Sequence, residues 1–346
     1  MGWEVLYRKW RPQTLAQVVG QHVVTEILCH AVEKGEIGHA YLFCGPRGTG
    51  KTSTARILAK AVNCPQQKGG EPCNTCDICT SITEGRALDV IEIDAASNRG
   101  IDDIRSLREK VNYSPQRARY KVYIIDEVHM LTEAAANALL KTLEEPPEHV
   151  IFILATTESH KVISTIMSRC QRFDFRRLPQ DAIATKLEGI SHSENITITP
   201  ESLRLIAHVA GGSLRDAENI LQQLIAYHGR EVDAGQVEEM LGVSEDSRIG
   251  PLAASIVNKD VSTGLKIINM VGRDAVNLRQ FTRGLVKELR GLLLAKTRCG
   301  EILDVAADDL AEMERLVTGV DVGFLLRAVK RFADIDFRGN GYSTLP

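Results

Sequence analysis

The sequence contains no apolar run of membrane-spanning length, which excludes a chain built on transmembrane helices. It has no internal repeat and no low-complexity tail, so a repeat array is not expected. The opening Met1-Gly2-Trp3-Glu4 lacks the charged-then-apolar design of a signal peptide. An excess of positive charge is missing too: 42 Lys and Arg face 45 Asp and Glu, a net charge of −3. That excludes a broadly basic nucleic-acid binder, and any such binding must be local or shared with partners. Eight cysteines, unevenly spaced through 346 residues, do not form a disulfide framework. A cytoplasmic protein is expected. Its length exceeds one ordinary core and predicts two or three domains.

What is present centres on Gly45-Pro46-Arg47-Gly48-Thr49-Gly50-Lys51-Thr52, followed by Ser53, a match to G-x-x-x-x-G-K-[ST]. The preceding His39-Ala40-Tyr41-Leu42-Phe43-Cys44 suits a buried strand, and residues 52–61 have helical spacing. Strand, glycine loop and helix together form a phosphate cradle, with backbone N–H groups turned inward and a helix dipole aimed at the anion. Lys51 is placed to reach the β- and γ-phosphates, and the Thr52 hydroxyl to hold Mg²⁺.

Further strands follow at 88–94, 121–129, 150–155 and 172–175, separated by helical stretches at 101–111, 134–144 and 160–167. Five strands alternating with helices imply a parallel sheet covered on both faces. The third strand delivers Asp126 and Glu127 at its C-terminal end, where ligands of open parallel sheets bind. Asp126 would hold Mg²⁺, and Glu127 would polarise an attacking water. The fourth ends in Thr156-Thr157, hydroxyls that either orient water or simply terminate the strand. Between 99 and 121 basic residues outnumber acidic ones, fitting either a phosphate-contacting surface or a solvated helix face.

Cys64, Cys73, Cys76 and Cys79 lie among Pro65, Gly69, Gly70, Pro72 and Asn74, which mark a loop. Two C-x-x-C steps plus a fourth thiol suit tetrahedral, closed, structural Cys₄ zinc; paired disulfides and redox catalysis are the weaker alternatives. From Pro179 an all-helical remainder is expected. Ser213 caps a helix from 214 to 227, and Arg215 at its start is a cation where the dipole disfavours one, which fits either an anionic partner such as a nucleotide or an ordinary surface arginine. A hinge at 242–246 precedes amphipathic helices near 276–296 and 322–332.

Together these motifs resemble the ATPase subunits of bacterial sliding-clamp loaders, the DNA polymerase III gamma/tau family of AAA+ proteins. The resemblance covers nearly the whole chain. It rests on residues 7–12, the phosphate loop, the four inserted cysteines, Ile125-Asp126-Glu127-Val128-His129-Met130-Leu131, and Lys141-Thr142-Leu143-Glu144-Glu145-Pro146-Pro147. Ser168-Arg169-Cys170 and Gly212-Ser213-Leu214-Arg215-Asp216 complete it.

The resemblance implies an α/β AAA+ P-loop NTPase domain with a five-stranded parallel sheet over residues 1–178, carrying the zinc insertion at 64–79. A helical lid over 179–242 and an all-helical, pentamer-forming collar over 243–346 would follow. ATP, Mg²⁺ and Zn²⁺ are the expected cofactors. Arg169 would be an arginine finger reaching a neighbour's ATP, Thr157 (with Thr156 as second choice) the first sensor, and Arg215 the lid sensor. Arg11, Val18, Val19 and Leu214 would flank the adenine; by composition alone Val18 and Val19 equally suit ordinary core. Partners would be delta- and delta-prime-type subunits, the sliding clamp and primer–template DNA, the last facing Arg99, Arg105, Lys141 and Lys161.

The family's collar usually continues through a further helix. The closing Gly341-Tyr342-Ser343-Thr344-Leu345-Pro346 therefore reads as a linker in a longer chain. The expected function is ATP-driven clamp loading. A translocating AAA+ DNA motor is the rival enzyme and a zinc-stapled non-catalytic scaffold the rival non-enzyme.

Overall fold

The computed structural model describes residues 5–241, 246–274, 278–297, 299 and 307–335. Outside these residues fall most of the hinge expected at 242–246, the first two residues of the helix expected at 276–296, and the closing stretch 341–346. The chain separates into two compact units, Met1–Val237 and Glu238–Pro346.

In the first unit, α1 (Leu6–Lys9) and α2 (His22–Lys34) precede β1 (Ala40–Cys44), α3 (Lys51–Asn63) and α4 (Asp77–Thr83). Then come β2 (Val90–Asp94), α5 (Ile101–Val111), β3 (Lys121–Asp126), α6 (Glu133–Glu144), β4 (Val150–Thr156), α7 (Ser164–Met167) and β5 (Gln171–Asp174). The five strands form one parallel sheet in the order β2-β3-β4-β1-β5. All of β1 is buried, because helices cover both faces and each face needs apolar side chains. Tyr41 and Phe43 point into the layer packed with Leu28, Ile57 and Leu58, whereas Ala40, Leu42 and Cys44 face the layer packed with Ile104, Leu107 and Leu139. Registers Cys44↔Thr156 and Ile125↔Leu154 bring the C-terminal ends of β1, β3 and β4 to one edge.

The helix expected at 160–167 is broken. A 3₁₀ turn (Ser159–Lys161) is followed by extended Val162 and Ile163, and only then by α7. Val162 is buried in the core beneath α6, and anchoring it there interrupts the helix. The cysteine segment is not loop throughout either: Cys76 N-caps α4 and Cys79 lies in its first turn.

The unit continues with α8 (Gln180–Glu194), β6 (Thr197–Ile198), α9 (Pro200–Val209), α10 (Leu214–His228), β7 (Glu231–Val232) and α11 (Ala234–Leu241), which runs across the boundary. The all-helical expectation therefore fails at β6 and β7, which pair in parallel. Asn195, in the left-handed region, ends α8, and the β-branched stretch after it meets residues 231–232, with the Thr197 N–H donating to Arg230. The second unit holds α12 (Ile249–Val257), α13 (Val261–Arg273), α14 (Leu278–Lys296), α15 (Ala307–Leu316) and α16 (Val322–Ala333). Its core is built from Leu252, Phe281, Leu285, Leu289, Leu292 and Leu325. Among the described residues no helix is long and apolar enough to cross a membrane.

One buried carboxylate sets the approach to β3. Asp89, 6% exposed, accepts the backbone N–H groups of Gln116, Arg117 and Ala118 at 2.8, 2.8 and 3.0 Å. Asp89→Ala should cost about 2–4 kcal/mol by stranding these donors, and Asp89→Asn less because one acceptor survives. Urea denaturation checks this, and an alanine variant as stable as the parent would refute the anchoring role.

Candidate functional site

The phosphate loop leaves β1 at Gly45, whose φ of +149° leaves no room for a β-carbon beside the Phe175 carbonyl. Thr49 donates from Oγ1 to the Pro46 carbonyl at 2.8 Å and closes the loop. α3 then begins at Lys51, so its first N–H groups and positive dipole end face the loop interior. The Lys51 ammonium is buried and donates to the carbonyls of Gly45 and Pro46 at 2.7 and 2.8 Å. Burial lowers its pKa, against the opposing pull of Glu127 and Asp126.

Thr52 Oγ1 donates to Asp126 Oδ2 at 2.7 Å, joining α3 to the end of β3. Glu127 takes a left-handed conformation (φ 50°, ψ 46°), strained for a residue with a side chain. That turn sends its carboxylate to Thr157, whose N–H and Oγ1 donate to Oε2 at 3.2 and 2.9 Å. Thr156, by contrast, is fully buried, and its Oγ1 lies 2.9 Å from His129 Nδ1. His129 also stands 3.4 Å from Glu127 and 3.2 Å from Glu158.

One pocket gathers Arg11, Val18, Val19, Arg47, Gly48, Thr49, Gly50, Lys51, Thr52, Ser53, Asp126, Glu127, Thr157, Leu214 and Arg215. Gly45 and Pro46 meet it through the carbonyls that hold Lys51. Arg215 lies with its guanidinium carbon 4.7 Å from the centre of the Tyr7 ring. Burial lowers the Arg11 pKa.

Arg169 is absent from this lining. Its guanidinium pairs with Glu144 and donates to the Thr165 carbonyl at 2.8 Å. Arg99, Arg105, Lys141 and Lys161 are all exposed; Arg105 pairs with Asp102 and Lys161 with Glu158. Sequence reasoning assigned no role to Trp10, Lys186 or Glu218, which also line the pocket. No local spacing links residues so far apart in the chain; only the acidic residue one turn after Arg215 stood as a signal.

The second cluster is the four thiols of Cys64, Cys73, Cys76 and Cys79, whose sulfurs lie within 4.8 Å of one another. Tetrahedral Zn–S bonds of about 2.3 Å require sulfurs roughly 3.8 Å apart, so the cluster fits zinc with little movement. The N–H groups of Cys73, Cys76 and Cys79 donate to the sulfurs of Cys64, Cys73 and Cys76, stabilising thiolate character. Hydrogen bonds from Thr75 lower the Cys73 pKa to about 6, whereas burial raises those of Cys64 and Cys79.

Parallel sheet order, phosphate loop and acidic strand end define the class: an AAA+ P-loop fold with an ATPase lid. The Thermotoga maritima RuvB Holliday junction branch migration motor shares this fold, with a TM-score of 0.51 at 19% identity over 72% of this chain and 79% of that one. A family model described as DNA polymerase III, delta subunit, matches residues 20–179, and one for the DNA polymerase III clamp loader subunit ATPase lid domain matches 182–230. DNA polymerase III subunit gamma of Buchnera aphidicola subsp. Baizongia pistaciae is 36% identical over 296 residues, 86% of this chain and 80% of that protein. DNA polymerase III subunit tau is 49% identical in Bacillus subtilis and 46% in Escherichia coli. The chain belongs to the DNA polymerase III gamma/tau family. It spans about half the length of the two tau subunits, 53% and 45%.

Glu218 supplies a pH test of the pocket. Burial raises its pKa from 4.5 to about 7. Below pH 4.5 the carboxyl is neutral folded or unfolded, and its contribution to stability is fully present. As pH rises through 7 that contribution is lost, because the unfolded chain ionises more readily. Glu218→Gln should therefore gain roughly 3 kcal/mol on the parent between pH 4.5 and 8. Unfolding titrations at both pH values test this, and a gap unchanged by pH would refute it.

Proposed function

We propose that this chain is the ATPase engine of a bacterial replicative clamp loader, hydrolysing ATP to ADP and phosphate to open a sliding clamp and load it onto primer–template DNA. The observation that carries the reading is the convergence of Lys51, Thr52, Asp126, Glu127 and Thr157 on one pocket. Membership of the gamma/tau family supports it, and a complete hydrolytic set speaks against a non-catalytic scaffold.

In this reading the loop 45–53 cradles the polyphosphate through backbone N–H groups, with Lys51 exchanging its two carbonyl partners for phosphate oxygens. Thr52 and Asp126 hold Mg²⁺, which neutralises charge on the phosphates. Glu127 orients and polarises the attacking water, and Thr157 fixes the Glu127 carboxylate. Arg11, Val18, Val19 and Leu214 flank the base, and Arg215 senses the nucleotide from the lid. Arg169, outside its own pocket, acts on a neighbour's γ-phosphate within a pentamer that includes delta- and delta-prime-type subunits. The division into ATPase domain (1–178), lid (179–242) and collar (243–346) belongs to this proposal, as does a cytoplasmic setting. So does a DNA-facing surface at Arg99, Arg105, Lys141 and Lys161. The four cysteines hold one structural zinc.

Glu127→Gln should bind ATP and stop hydrolysing it, because the amide keeps the shape and loses the charge. Lys51→Ala should fail at binding. An arginine supplied in trans is worth about 10³–10⁵ in rate, so isolated subunits should hydrolyse feebly. Co-assembled Lys51→Ala and Arg169→Ala subunits should recover turnover, stimulated by clamp and primed DNA. No recovery in demonstrably mixed assemblies, or full activity in a strictly monomeric chain, would sink the shared site.

Metal analysis should find one zinc per chain. Chelation should speed hydrogen exchange over 64–79 first and leave the sheet folded, since the sheet's core contains none of these thiols. Paired disulfides with no zinc would overturn the assignment.

A further inference from the structure

The pocket holds one carboxylate that the hydrolytic mechanism leaves unused. Glu218 is 5% exposed and lines the pocket on α10, one turn beyond Arg215. Among the described residues it makes no hydrogen bond and no ion pair. Lys186 and Arg11 face it with their charges but form no direct contact. An unpartnered carboxylate buried this deeply is expensive, and natural cores rarely keep one without a use.

Its position indicates the use. The phosphate end of the pocket is fixed by Gly48, the start of α3, Asp126 and Thr157. Gly48 sits against Ser213 and Arg215, at the start of α10. One turn along α10, Glu218 faces the charges of Lys186 and Arg11, and the Lys186 ammonium lies over the Trp10 ring. The same pocket also carries Val18, Val19 and Leu214, apolar side chains suited to the faces of a flat ring. A base between them would still need a partner for the polar groups on its edge. Adenine presents an exocyclic amine, a pure donor, and an ionised carboxylate is a pure acceptor.

We propose that Glu218 is a specificity-determining residue that accepts a hydrogen bond from the exocyclic amine of adenine. The inference rests on the nucleotide reading of this pocket and adds a named contact that selects the base. The raised pKa has the same cause, burial, which outweighs the opposing pull of Lys186 and Arg11.

The test compares binding of ADP, purine riboside diphosphate (adenine's ring without the amine) and GDP, diphosphates avoiding turnover. Titration calorimetry at pH 8 would be run on the parent chain, Glu218→Gln and Glu218→Leu. In the parent, losing the amine should weaken binding on the order of 10- to 100-fold, the range for a hydrogen bond to a charged group. In Glu218→Leu the two ligands should bind within about 3-fold of each other, since no acceptor remains. Glu218→Gln, whose amide oxygen still accepts, should fall between. An equal loss in parent and leucine variant would overturn the contact, as would GDP binding the parent more tightly than ADP. If the parent bound none of the three, the nucleotide reading itself would fail, a result distinct from either.

Discussion

A hydrogen bond of 2.7 Å between the Thr52 hydroxyl and Asp126 joins the two chemical halves of the pocket. Its partners lie 74 residues apart, on the first turn of α3 and the last residue of β3. It depends on a constraint of the whole sheet. β1 and β3 are separated by β4, and only an all-parallel sheet in matched register ends all three strands at one edge. A one-residue slip of β3 would turn Asp126 to the opposite face and remove the carboxylate from Thr52. The fully buried β1 and β4 hold that register with the apolar layers on both faces.

The cysteine segment is less separate from the pocket than its position in the chain implies. Glu71, within that segment, accepts the N–H groups of Leu15 and Ala16, both at 2.7 Å. Lys60, 2% exposed on α3, donates to Gln13 and, at 2.6 Å, to Asn74 beside Cys73. Burial lowers the Lys60 pKa, and the oxygens around the ammonium offset that cost. Residues 13–16 lead directly to Val18 and Val19. A thiol cluster that fixes residues 64–79 thereby also steadies one wall of the pocket.

What could be read from the sequence was whatever the backbone alone determines. The strands were legible because a sheet covered on both faces demands apolar runs, and the glycine loop because positive φ and close approach demand glycine. The helix at 101–111 was placed to the residue, since its apolar Ile104, Leu107 and Val111 recur at helical spacing. The misses arose where tertiary contacts overruled local pattern. Val162 breaks a helix because the core takes its side chain. β6 and β7 exist only because residues 197–198 and 231–232 meet across α9 and α10. The left-handed Glu127 had no signal, since glutamate, unlike glycine, asparagine or aspartate, is not enriched in that conformation.

The two ends of the pocket differ in the same way. The phosphate end is mostly main chain and announces itself in eight consecutive residues. The rest of the lining is assembled from side chains at residues 7–19 and on α8 and α10, and no short window of sequence contains it. Yet the ends are mechanically joined. The Leu214 N–H donates to the Gly48 carbonyl at 3.1 Å, and a β-carbon at Gly48 would strike the Ser213 hydroxyl. α10 is tied in turn to α1, where the Leu6 N–H donates to Gln222 at 2.9 Å. Interiors packed this closely shift as units rather than deform locally. A displacement of the phosphate loop must therefore move the start of α10, and with it the wall that carries Arg215 and Glu218.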